Sequence, residues 1–343
     1  MARRLRRAAI NLLVPILLSW LGAEALGQLY FGNPLYYREQ RFTYDTPDAV
    51  LNIGPALWTY RPDSEITETI VYKKPFGDYF VESSCTWRTD ERGFLDNKNG
   101  TRDYDILLLG DSFTAGSAGC GWTDELRQRL PGQTIYNAGL PGTGVPNWAA
   151  ALDDLRAHGF RFRRVLLLFI ADDFYRQAAI WSEGDLACLH DISHCTMENY
   201  LYPLTPGIDL AKVSAERNQS GLVGDIDLIW KRRLWVSHFL TSAVGAALIR
   251  RRLPIIDQAK AALDHILTAG PAVHLVHIWT KEEAAFGEDN ARSTTVANYL
   301  GSRGLAVDRC ELGYGEFYSY DAHPTREGYA HLAECAAMLV RRL

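Results

Sequence analysis

The stretch Val165 to Ile170 is apolar at every position, and no other feature constrains the fold of this chain as tightly. A strand with one face in water alternates apolar and polar residues. A strand without alternation is buried on both faces, which is the condition of a parallel sheet covered by helices. Further runs, apolar at most positions, lie at Tyr104 to Leu109, Thr134 to Ala138 and Val273 to Trp279. Helical patterns separate them. Trp122, Leu126 and Leu130 share one face of a helix over Thr123 to Leu130. Pro146 opens a helix to His158, where its missing N–H costs nothing. Further helices are predicted over Ile255 to Leu267, over Ala291 to Ser302 with Gly304 as its stop, and from about Arg326 to Arg341 with Thr325 as N-cap. This alternation predicts an α/β three-layer sandwich with a central parallel sheet. In such sheets ligands bind beyond the carboxyl ends of the strands. The polar clusters fall there: Asp111-Ser112, Gly139 and Asp172-Asp173.

The remainder divides into three parts. Arg3, Arg4, Arg6 and Arg7 precede an uncharged run from Ala8 to Ala23. That run is a little short of the ~20 residues that span a bilayer, and Tyr30, Phe31, Tyr36 and Tyr37 would form an interfacial aromatic belt. Residues 1–32 are therefore expected to be a cytoplasmic tip and one transmembrane helix, with the rest of the chain on the periplasmic side of the inner membrane. A cleaved signal peptide ending at Ala23-Glu24-Ala25 is the alternative. Residues 33–100 lack sustained periodicity and read as an irregular stalk. Residues 101–343 form the main domain, broken at about 174–253 by an insertion that would roof the site. Six cysteines fit an oxidising compartment, and Cys188 with Cys195 would close a short loop; the remaining pairings stay open. Cys188 to Cys195 also brackets two histidines at a spacing a metal would accept, but a disulfide loop is expected there, and no metal or cofactor is expected anywhere. With 47% hydrophobic residues, 22% charged residues and a net charge of −5, the chain is globular and not a nucleic-acid binder.

Two segments carry chemistry. Leu107-Leu108-Leu109-Gly110-Asp111-Ser112-Phe113-Thr114 presents a serine just beyond a buried strand. Its hydroxyl is a weak nucleophile until a base removes the proton. The surroundings lack the G-x-S-x-G pattern of the α/β-hydrolase elbow. Near the other end, Asp321-Ala322-His323-Pro324 puts a carboxylate two residues before an imidazole; in an extended segment both point the same way, so Asp321 would orient His323.

Taken together, these blocks resemble the SGNH (GDSL-type) hydrolases. Gly110-Asp111-Ser112-Phe113-Thr114 is similar to their first block, Asn137-Ala138-Gly139-Leu140-Pro141-Gly142 to the second, and Asp321-Ala322-His323-Pro324 to the last. Arg92-Gly93-Phe94 and Trp279-Thr280-Lys281-Glu282 resemble membrane-anchored members from bacterial polysaccharide clusters. The resemblance covers roughly residues 88–343 without the insertion. It implies an SGNH, flavodoxin-like fold, Ser112 as nucleophile, His323 as base and Asp321 as its orienting acid. It implies an oxyanion hole built from the N–H groups of Ser112 and Gly139 and the residue at 172. Thr114 and Asp173 would contact substrate. The third block departs from the family: relatives carry asparagine where this chain has Asp172, and an ionised carboxylate has no proton to donate.

The function implied is an exported serine esterase acting on acyl, chiefly acetyl, esters of a carbohydrate. Transfer of the acyl group to an envelope or exported polysaccharide is the alternative, and a weakly active or inactive glycan-binding scaffold is the second; polysaccharide-assembly proteins would be further partners. The expected partners are an acylated carbohydrate or polysaccharide and, through the N-terminal helix, the lipid bilayer.

Overall fold

The computed structural model describes residues 2–31, 41–73, 79–95, 97, 100–195, 201–203, 254–318 and 321–343. The N-terminal helix α1 runs over Ala2–Phe31. It occupies the place expected of a membrane anchor, yet no helix among the described residues is long and apolar enough to cross a membrane. The expected span is therefore not borne out. Tyr36 and Tyr37 of the expected aromatic belt lie outside the described residues, as do 204–253 of the expected roof.

The segment read as an irregular stalk is instead rich in strands: β1 (Arg41–Tyr44), β2 (Val50–Gly54), β3 (Leu57–Tyr60), β4 (Glu65–Lys73) and β5 (Tyr79–Arg88). The main domain follows with β6 (Asp103–Gly110), α2 (Ser112–Ala115), α3 (Trp122–Arg129), β7 (Ile135–Asn137), α4 (Val145–Ala157), β8 (Arg161–Phe169) and a 3-10 turn over Ala171–Tyr175. Then come α5 (Glu183–His190), β9 (Leu201–Pro203), α6 (Asp257–Thr268), β10 (Ala272–Ile278), α7 (Lys281–Phe286), α8 (Ala291–Ser302), β11 (Val307–Cys310) and α9 (Arg326–Arg342).

The central sheet has the order β11-β10-β8-β6-β7, and each neighbouring pair is parallel. The chain starts at β6, adds β7 on one side, then returns to build β8, β10 and β11 on the other. The strand order thus reverses between β6 and β8, and a crevice opens there beyond the strands' carboxyl ends. Alternate side chains divide the apolar strands between two cores. Leu107, Leu109, Val165, Leu167, Phe169 and Leu275 pack with α4, α6 and α8; Ile106, Leu108, Leu166, Leu168, Val276 and Ile278 pack with α3 and α9. The three-layer α/β arrangement is as expected, and continuous apolarity in β8 is explained by its burial from both sides.

A second sheet, of order β5-β4-β1-β9, joins the first core through Tyr44, Ile66, Ile70 and Trp87. It escaped the sequence reading because its periodicity is masked. Glu68 is buried on the same face of β4 as Ile66 and Ile70, opposite Tyr44, so apolar and polar residues share the covered face. Three disulfides join Cys85 to Cys120, Cys188 to Cys195 and Cys310 to Cys335, with no free cysteine among the described residues. The first ties β5 to the loop after α2. The second closes the short loop expected and removes those sulfurs from any metal.

Candidate active site

Ser112 stands at the first turn of α2, where β6 leaves the sheet. Asp111 caps this helix: its Oδ1 accepts from the Phe113 N–H at 2.9 Å. The helix is pinned from behind. Tyr329 Oη on α9 donates to the carbonyls of Ser117 (2.9 Å) and Ser112 (3.3 Å), and Trp122 Nε1 and Asn137 Nδ2 each donate to the Thr114 carbonyl at 2.8 Å. A four-residue helix has little stability of its own; its position is set by these tertiary bonds.

Asp321 Oδ1 accepts from both the backbone N–H of His323, at 2.8 Å, and the ring Nδ1. The pair thus sits in a tight turn rather than the extended segment expected, and the turn itself locks the imidazole to the carboxylate. Nδ1 carries the proton in this arrangement, which leaves Nε2 as the base. The Phe113 ring lies 5.6 Å from the imidazole. Burial by itself lowers the pKa of His323, but the Asp321 carboxylate, with smaller contributions from Asp111 and Glu68, outweighs it and raises the pKa above its ordinary 6.5.

Ser112 and His323 line one cleft of about 280 Å³. No hydrogen bond joins Ser112 Oγ to His323 Nε2, a separation that commonly closes only when substrate binds. The cleft's other walls include Tyr44 from β1, Gly142, Asp172, Arg176, Trp181, Thr280 and Lys281. Thr280 and Lys281 come from the Trp279-Thr280-Lys281-Glu282 motif. Lys281 Nζ donates to the Tyr318 carbonyl at 2.5 Å, and burial lowers its pKa to about 8.

Several expected residues are placed differently. Gly139 does not face the cleft: its N–H donates to Asn137 Oδ1 at 2.8 Å. It is glycine because a Cβ would fall 2.3 Å from the Ala115 nitrogen. The cleft instead takes Gly142, three residues on, at φ +71°. Neither its N–H nor that of Ser112 donates to a protein acceptor among the described residues. Thr114, in α2 itself, is fully buried and is not among the residues lining the cleft. Asp173 is also fully buried and accepts from the Ile170 N–H at 2.9 Å and from Arg176 Nη1 at 2.7 Å. Burial and the nearby Asp111 push its pKa well up. It braces the site rather than touching substrate. Asp172 does reach the cleft, where Arg292 Nη1 donates to its Oδ1 at 2.5 Å.

Arg176 and Glu68 were missed. Arg176 lies within the supposed insertion, and an arginine there carries no local signal. Glu68 belongs to the supposed stalk; Tyr44 and Tyr60 hydroxyls donate to its Oε2 at 3.3 and 3.5 Å, and burial pushes its carboxyl up to about 7. A separate cluster, His277, Glu283 and Asp289, brings potential metal ligands within 4.8 Å of one another. Glu283 is spent on Thr280 and Ser293, and Asp289 on Trp279 and Arg309. The Arg309 cation beside it makes this an ion-pair network rather than a metal centre.

No family model matches the chain, and no curated protein matches it. Solved structures do resemble it. A member of the lipolytic G-D-S-L family from Veillonella parvula is 10% identical, with 70% of this chain and 99% of that one covered at a TM-score of 0.36. An arylesterase, so described, from Agrobacterium tumefaciens is 15% identical, with coverages of 71% and 99% and a TM-score of 0.33. A carbohydrate acetylesterase from Sinorhizobium meliloti is 12% identical, with 71% and 99% covered and a TM-score of 0.32. Likenesses this distant assign no activity, so the case for function rests on the cleft itself.

Proposed function

We propose that this chain is an exported serine esterase that cleaves acyl, chiefly acetyl, esters of a carbohydrate. The observation that carries the reading is the His323–Asp321 pair, held by its own turn, in one cleft with a serine at a helix N-terminus. Ser112 Oγ attacks the ester carbonyl and passes its proton to His323 Nε2, and Asp321 stabilises the imidazolium formed. The N–H groups of Ser112 and Gly142 take the positions of oxyanion donors, in place of the Gly139 expected from sequence. Tyr44 and Trp181 offer aromatic faces to the apolar side of a sugar ring, and Asp172 and Thr280 offer partners to its hydroxyls. Export is supported by three disulfides, which persist in oxidising compartments, and by the arginines that precede the uncharged run. Attachment to the bilayer through α1 and contact with polysaccharide-assembly proteins belong to the same proposal.

The test is reaction of the purified chain with a serine-directed fluorophosphonate and turnover of p-nitrophenyl acetate, each against Ser112→Ala. Labelling and turnover that vanish together in the variant support the reading; a chain that does neither leaves the glycan-binding scaffold as the better one. Adding an oligosaccharide acceptor separates hydrolysis from acyl transfer, since transfer leaves acetylated sugar rather than free acetate. A periplasmic reporter fused after Leu343 that is active only outside the cytoplasm supports export.

A further inference from the structure

Arg176 is fastened at one end and unspent at the other. Its Nη1 donates to Asp173 Oδ1 (2.7 Å), to the Thr143 carbonyl (2.9 Å) and to Asp111 Oδ2 (3.1 Å). Both carboxylates are buried, and Asp111 is the residue that caps the nucleophile's helix. The guanidinium is planar, so fixing Nη1 against three acceptors fixes the plane and the directions of its remaining donors. Nε and Nη2 donate to no protein group among the described residues. The side chain is one-third exposed, and it lines the cleft together with Ser112, Gly142 and Asp172. Of the other charged side chains lining the cleft, Asp111 and Asp172 are acceptors, the latter engaged by Arg292, and Lys281 donates to the Tyr318 carbonyl. The cleft that holds Ser112 is therefore lined by an arginine whose Nε and Nη2 are not spent on the described protein groups.

From this arrangement we infer that Arg176 is a catalytic residue that donates through Nε or Nη2 to the carbonyl oxygen of the ester as that oxygen becomes negative. The inference rests on the serine-esterase reading. As the Ser112 Oγ–carbon bond forms, the carbonyl π pair moves onto oxygen and the Ser112 proton moves to His323 Nε2. The tetrahedral centre then collapses: the C=O bond re-forms, the bond to the alcohol oxygen breaks, and that oxygen takes the proton from His323. Arg176 loses no proton in either step. Its contribution is a preorganised positive donor, largest when the oxygen is charged, and that differential speeds the reaction.

The experiment compares kcat and KM for p-nitrophenyl acetate in Arg176→Met, in Arg176→Met with Asp173→Asn, and in Arg176→Met with Asp172→Asn, with thermal melts for each. The second variant removes the surplus buried carboxylate that loss of the arginine leaves behind. The third places an amide donor on the same wall. Loss of a hole donor lowers kcat by ~10²–10³-fold with KM little changed. That loss should persist with Asp173→Asn and be repaired about tenfold or more by Asp172→Asn. Recovery with Asp173→Asn instead, no recovery with Asp172→Asn, or kcat unchanged in a folded Arg176→Met chain would each overturn the inference. Should Arg176→Met fail to fold, Arg176→Lys keeps the charge between the carboxylates but not the fork, and an undiminished kcat there overturns it as well. Fluorophosphonate labelling of the wild-type Ser112 separates the two claims: without labelling the esterase reading fails, whereas with labelling and undiminished Arg176 variants only this inference fails.

Discussion

His323 sets the pH response at the scale of single residues. The Asp321 carboxylate raises its pKa above 6.5, and it acts as a base only when neutral. The acid limb of kcat/KM for an aryl ester should therefore lie above pH 6.5, and Asp321→Asn should move it to lower pH while lowering the plateau. A pH–rate profile of the two proteins checks this. Ser112→Ala and His323→Ala should each abolish most turnover, and the double variant should be little worse than either, because the two act as one unit. Glu68 makes a prediction about stability. Its folded pKa of about 7 lies above the ordinary 4.5, so the unfolded chain releases this proton first as pH rises. Stability is lost between those two values, and above pH 7 the cost amounts to about 3 kcal/mol. Glu68→Gln should remove that loss: urea midpoints of variant and wild type should diverge, in the variant's favour, between pH 5 and pH 8. Parallel midpoints across that range would show that Glu68 does not titrate there.

At the scale of elements, the site depends on how closely α2 lies against the turn after β7. The Ala115 nitrogen would be 2.3 Å and the Thr114 carbonyl carbon 2.5 Å from a Cβ at position 139. Gly139→Ala must push the two elements apart, with an overpacking cost of about 1–3 kcal/mol. Because α2 carries Ser112, kcat should fall with the melting temperature, although Gly139 does not face substrate. An active Gly139→Ala chain of wild-type stability would mean the turn yields elsewhere. The elements of the parallel sheet were readable in advance because their patterns are local. Helices over Val145–Ala157, Asp257–Thr268, Ala291–Ser302 and Arg326–Arg342 lie within two or three residues of the expected bounds. The short helices α2 and α7 were not, since four and six residues show no period, and tertiary bonds or a capping box at Thr280 hold them.

At the scale of the whole molecule, the Cys85–Cys120 disulfide is a covalent link between the second sheet and the loop behind the nucleophile. It closes a loop of 35 residues, for which the chain-entropy account gives on the order of 3–4 kcal/mol. Cys85→Ser with Cys120→Ser should lower stability by that order. It should also raise KM for a sugar ester more than for p-nitrophenyl acetate, because Tyr44 on the second sheet walls the cleft where a sugar would lie. Equal effects on both substrates would make the link purely structural.

The sequence by itself determined the parallel α/β core, through apolar runs buried on both faces, and the pairing of Asp321 with His323, through their two-residue spacing, although the turn that joins them stood in place of the extended segment expected. These are short-range matters, settled by periodicity and by neighbours along the chain. Only the tertiary structure decided which glycine meets the cleft, since both stand in one motif, yet Gly142 lines the cleft while the Gly139 N–H is spent on Asn137. Only it brought Arg176 and Asp111 together across 65 residues, and set Tyr44 of the second sheet into a wall of the site. Such contacts depend on which surfaces remain to be buried once the sheet has formed, and no local pattern records that.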